Sequence, residues 1–121
     1  MYSYLTVRSD GHYAGSVPAS ALAAYLESQP GLRRTDLACF RAEDGREWLH
    51  AAIAECDPAG NYAVREGMLP ERANSVELVS ASDRPAREAA LTLARGIADR
   101  LGWEVTDAET GEIVHRPPAE G

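Results

Sequence analysis

Residues 37–56 read LACFRAEDGREWLHAAIAEC, and the fold turns on whether this stretch is a hairpin or a helix. Asp44 and Gly45 stand between two runs in which apolar and polar residues alternate. Asp-Gly in that setting signals a two-residue turn, because the tight hairpin turns need residues that tolerate positive φ. The second run, Glu47 to Cys56, is rich in alanine and so has some helical character. Yet Asp57, Pro58, Gly60 and Asn61 follow it closely, which favours a strand closed by another turn. With Glu43 and Arg46 flanking the first turn, antiparallel register pairs Arg41 with Trp48, Phe40 with Leu49 and Cys39 with His50. A third strand over Tyr62–Arg65 then brings Val64 near Ile53.

Upstream of the hairpin, Tyr2 to Arg8 alternates, with Leu5 and Val7 on one side and Tyr4 and Thr6 on the other, as a half-buried strand does. After the turn residues Asp10, Gly11 and Gly15, the run Pro18 to Ser28 places Leu22 and Leu26 one helical turn apart. Pro18 suits a first turn, and Gln29, Pro30 and Gly31 stop the helix. Downstream, Val76 to Ser80 reads as a strand. A longer helix follows, capped by Ser82 or Asp83, with Pro85 in its first turn. Its apolar stripe is Leu93, Ile97 and Leu101, widened by Ala90 and Ala94. Gly102 fits a left-handed C-terminal position, Trp103 to Val105 continues as a strand, and Ile113 with Val114 supplies a last one.

Strand, helix, three strands, strand, helix and one or two strands make an α+β chain. The order predicts a two-layer sandwich: a mainly antiparallel sheet of five to six strands with two helices on one face. A ferredoxin-like split unit with an inserted hairpin fits it best. A length of 121 residues suits one domain, here residues 1–115, followed by a flexible tail over 116–121 that contains Pro117 and Pro118.

Composition removes whole classes of chemistry. The chain has twelve arginines and no lysine. Without a lysine there is no Schiff-base anchor and no P-loop contact to the outer phosphates of a nucleotide. The G-x-S-x-G, H-E-x-x-H and P-C-x-x-C signatures are absent too. A formal charge of −7 repels phosphate backbones and anionic membranes, so neither nucleic acid nor a membrane is an expected partner. The N-terminus has no basic region followed by an apolar run, and no stretch has the length of an apolar span, so a cytoplasmic protein is expected. Lysine scarcity with abundant alanine matches the coding bias of a GC-rich bacterial genome.

The inferred hairpin sorts its residues onto two faces. Ala38, Phe40, Leu49, Ala51, Ile53 and Val64 form the face that helices would cover. Leu37, Cys39, Arg41, Trp48, His50 and Arg65 form the other, where aromatic and cationic groups combine large contact area with polar handles. Arg41, Trp48, His50 and Arg65 are therefore the candidate partner-binding residues. The plain alternative is that Trp48 stacks on Arg41 as an ordinary cross-strand pair.

Cys39, Cys56 and His50 share that face but lack a fourth ligand and a C-x-x-C knuckle, so no metal and no cofactor is assigned. The loop Gly11, His12, Tyr13, Ala14, Gly15, Ser16 joins a strand to a helix, yet its spacing matches no nucleotide fingerprint. Glu43, Asp44 and Glu47, and later Asp107, Glu109 and Glu112, cluster at turns, where carboxylates are normally solvated. Their functional role would be to steer a basic protein partner.

Two readings result. The first is a non-enzymatic protein-binding domain, of the inhibitor or immunity type known from bacteria and phages. The second is a small-molecule sensor or small enzyme that uses the open sheet face or the cleft of a homodimer.

Overall fold

Strand β7 (Ser75–Ala81) shows why the chain folds as it does: Val76, Leu78 and Ser80 are buried on one side, while Glu77, Val79 and Ala81 are half-buried on the other. It pairs along its whole length with β1 (Tyr2–Arg8), from Tyr2 opposite Ala81 to Arg8 opposite Ser75, and on its other side with β5 (Leu49–Ala54). The computed structural model describes residues 2–42, 49–57, 59 and 68–117. Its other elements are β2 (Val17–Pro18), α1 (Ala19–Glu27), β3 (Leu32–Arg34), β4 (Cys39–Ala42), β6 (Arg72–Ala73), α2 (Arg84–Leu101), β8 (Glu104–Asp107) and β9 (Ile113–His115). The protein is α+β. Seven strands form one sheet in the order β3-β4-β5-β7-β1-β8-β9, antiparallel throughout, and β2 and β6 form a separate pair.

The two helices begin differently. Pro18 precedes α1 without a side-chain cap, and the first amide, on Ala19, donates instead to the Glu71 carbonyl beside β6 at 3.1 Å. Helix α2 is capped by Asp83, whose carboxylate accepts from the Ala86 amide, and it ends at Gly102 with φ +72°. Only glycine takes that left-handed position without strain. One apolar cluster joins Phe40, Ala51, Ile53, Leu78 and Val105 of the sheet to Leu22 and Leu26 of α1 and to Ala90, Ala94 and Ile97 of α2. Among the described residues no helix is long and apolar enough to cross a membrane.

Three expectations need correction. The sheet has seven strands rather than five or six, because Leu32–Arg34 is a strand that pairs with β4. Only Leu32 of its three residues shows an apolar face, so alternation could not reveal it. The hairpin pairs Arg41 with His50, Phe40 with Ala51 and Cys39 with Ala52, two residues further along than a turn centred on Asp44 and Gly45 dictates. A shift of two keeps every side chain on its expected face, so burial of Phe40 and Ala51 is satisfied all the same. The Asp44–Gly45 turn and the Tyr62–Arg65 strand, with Val64, lie outside the described residues. In α2 the buried stripe is Ala86, Ala90, Ala94, Ile97 and Ala98, while Leu93 and Leu101 are only partly buried.

Phe40 is fully buried at the crossing of β4 with the core. Replacing it with alanine is expected to cost about 3–5 kcal/mol in a chemical denaturation series. Leu37→Ala, at a side chain 52% exposed, should change stability by no more than about 0.5 kcal/mol.

Candidate functional site

Register builds the site. Arg33 of β3 lies opposite Arg41 of β4, Arg41 opposite His50 of β5, His50 opposite Val79 of β7, and Val79 opposite Tyr4 of β1. Directly paired residues in an antiparallel ladder project to the same side. These five therefore form a row across five strands, spanning roughly 19 Å at the usual strand spacing. The row faces away from the side that carries Phe40, Ala51 and Leu78. Arg33, Arg41 and Tyr4 are exposed, and His50 and Val79 are half-buried. Tyr2, also exposed, stands two residues from Tyr4 on the same side of β1.

The cationic end of the row is unusual in so acidic a chain. Two arginines stand directly opposite each other in the ladder, a pairing that like charges make unfavourable. Neither forms an ion pair among the described residues. Burial holds the His50 imidazole below its usual pKa, and the charge of Arg41 pushes it the same way. His50 is thus neutral at physiological pH, with one ring nitrogen a donor and the other an acceptor. Arg34, one residue from Arg33 and on the opposite side of β3, is engaged: it donates to the Leu37 carbonyl, pairs with Glu27 at 3.4 Å and lies over the Phe40 ring.

Of the residues expected at the site, Arg41 and His50 are brought together as direct neighbours. Trp48 and Arg65 lie outside the described residues, as do Glu43, Asp44 and Glu47. Arg33, Val79 and Tyr4 were not anticipated. The signal for Tyr4 was present in the alternation of β1. That for Arg33 required knowing that Leu32–Arg34 is a strand. The same face is closed elsewhere: Ser75 and Thr106 are buried there, and the Thr106 hydroxyl has no hydrogen-bond partner among the described residues.

The two cysteines occupy different environments. Cys39 is opposite Ala52 rather than His50. Cys56 is buried, and burial together with the nearby Glu77 carboxylate raises its thiol pKa, against a smaller lowering by the Ser75 hydroxyl. Its backbone is clamped by Asn74, whose carboxamide accepts from the Cys56 amide at 2.7 Å and donates to the Cys56 carbonyl at 2.8 Å. A protonated, enclosed thiol is a packing group, not a nucleophile. Among the described residues no three of His, Cys, Asp or Glu converge as metal ligands would.

Three amides of the Gly11–Ser16 loop are taken by the side chains of Ser9 and Asp10 just ahead of it. Asp10 accepts from the His12 and Ala14 amides, which lowers its pKa, and the Ser9 hydroxyl accepts from Gly15 at 2.8 Å. A side chain at Gly15 would meet the Ser9 Cβ at 2.8 Å, so the glycine serves close packing. Asp107 likewise closes its own turn, accepting from the Glu109 and Thr110 amides. No family model matches the chain, and comparison with curated proteins found no match.

In an NMR titration His50 should titrate below 6.5. Arg41→Gln should move its midpoint up without fully restoring it, because burial is the larger cause. The unfolded chain binds more protons at this imidazole than the folded one. Stability should therefore fall as pH drops below the usual imidazole value, and this contribution should level off below the folded midpoint.

Proposed function

We propose that the chain is a non-enzymatic protein-binding domain, of the inhibitor or immunity type found in bacteria and phages, which occludes a partner protein with its outer sheet face. The observation that carries this reading is the row Arg33, Arg41, His50, Val79, Tyr4. It combines exposed arginines and an exposed tyrosine on one rigid surface, and arginine and tyrosine are over-represented at binding hot spots. The strand backbone that carries these groups is already ordered, so docking a partner costs only the freedom of the side chains. Trp48 and Arg65 belong to the same proposal from sequence alternation.

The fold reading that accompanies it is a two-layer sandwich with both helices on one face. The order β5-β7-β1-β8 fits a ferredoxin-like split unit, with β3 and β4 as an inserted hairpin. A cytoplasmic location, no nucleic-acid or membrane partner, and an acidic field that steers a basic region of the partner toward the domain are consistent with the charge of −7. Formation of a homodimer through the same face is compatible with the reading.

Affinity capture from a native lysate tests it, run in parallel with wild type, Trp48→Ala and the double variant Arg41→Glu, Tyr4→Ala. A stoichiometric protein should be held by wild type, and the double variant should lower its affinity by at least about tenfold. Equal retention by all three folded proteins sinks the assignment.

A further inference from the structure

On the other side of the sheet a cavity of about 690 Å³ lies between the first half of α2 and strands β7, β1 and β8. That volume is in the range of small-ligand sites, roughly 300–1,000 Å³. Ser80 borders it, is 1% exposed, and has a hydroxyl with no hydrogen-bond partner among the described residues. A buried hydroxyl without a partner is costly, and one that borders a cavity marks where a ligand atom satisfies it.

The walls carry opposite charges that do not meet. On the helix wall Arg84 is held by Glu88 at 3.0 Å, but Arg87 makes no ion pair among the described residues. On the strand wall Asp107 uses Oδ1 for the Glu109 and Thr110 amides, which leaves Oδ2 uncommitted among the described residues. Ser80 is opposite Ser3 and Asp107 is opposite Leu5, on the two neighbours of β1 and on the same side of the sheet. Strand spacing and rise place the Cα atoms of Ser80 and Asp107 roughly 12 Å apart. The reach of both side chains leaves a gap suited to a molecule whose opposite charges are a few ångströms apart. Between them Leu5 and Leu91 are apolar, and Leu91 is four residues from Arg87 on the same helix face.

We infer that this cavity binds a free α-amino acid with an aliphatic side chain. Arg87 and the Ser80 hydroxyl take its carboxylate, Asp107 takes its ammonium group, and Leu5 and Leu91 receive its side chain. A plain anion is opposed by Glu88, Asp107 and Glu109 in the same lining, and a plain cation by Arg84 and Arg87. Helix α2 covers the cavity on the side of the sheet away from Arg33, Arg41 and His50; Tyr4 borders both sites, so the variants that test this one leave Tyr4 unchanged.

The test titrates L-leucine into the isotope-labelled full chain and follows the amide resonances of Ser80, Ser82 and Asp107, with calorimetry for affinity. Saturable shifts are expected. Isocaproate, which lacks the amine, and isoamylamine, which lacks the carboxylate, should bind at least about tenfold more weakly. Arg87→Gln removes an exposed charge, and Asp107→Asn keeps the acceptor for the turn. Each should weaken L-leucine by about tenfold in a folded protein. Absence of saturable shifts with L-leucine, equal binding of either analogue, or affinity unchanged in both variants would overturn the inference.

Discussion

Helix α2 meets the sheet through Ala86, Ala90, Ala94 and Ala98, with Ile97 as the one large side chain of that stripe, and the rest of the structure is arranged around how little space those methyl groups fill. Alanine loses no side-chain entropy on burial and favours the helix intrinsically. It adds little apolar area of its own, so the bulk of the core comes from Phe40, Leu78, Val76 and Val105 of the sheet and from Leu22 and Leu26 of α1. A thin contact also leaves room at its flanks. The cavity of about 690 Å³ borders one flank of α2, and a groove of about 790 Å³ between α1 and α2 borders the other, with Arg84 and Glu88 shared by both.

Charge is distributed with the same economy. All twelve cations are arginine, and arginine's planar, weakly hydrated head tolerates partial burial and stacking better than an ammonium does. Arg8 lies over Tyr13, Arg34 over Phe40 and Arg100 over Tyr25, so several guanidinium groups cover rings. Arg33, Arg41 and Arg87 do not. They share with Arg95 the lack of a partner among the described residues, and the two sites proposed above are built around Arg33, Arg41 and Arg87.

Legibility in the sequence followed the physical range of each signal. Both helices were readable, since Pro18, Asp83, Pro85 and Gly102 are short-range punctuation whose effect does not depend on distant residues. The strands β1, β7, β4 and β5 are readable from alternation, and so is the face that each of their described residues occupies. Register is not, because a shift of two residues preserves the buried pattern that alternation reports. Strand β3 escaped because three residues, two of them arginine, carry no period. In α2 leucine outweighed alanine as a cue, although the tertiary packing of a close-lying helix selects the smaller residue. The site was half visible: Arg41 and His50 were placed on one face correctly, but Tyr4 and Val79 join them only through the non-local pairing of β1, β7 and β5.

The rim of the sheet is built to be a poor template. Its outermost strands, β3 and β9, are three residues each. Strand β3 carries two adjacent arginines, and β9 runs directly into Arg116 and Pro117. Short borders with charge and an imino acid discourage end-on polymerisation of sheets. Among the described residues the seven-stranded sheet stays unclosed, and borders of this kind disfavour pairing with the edge of another sheet.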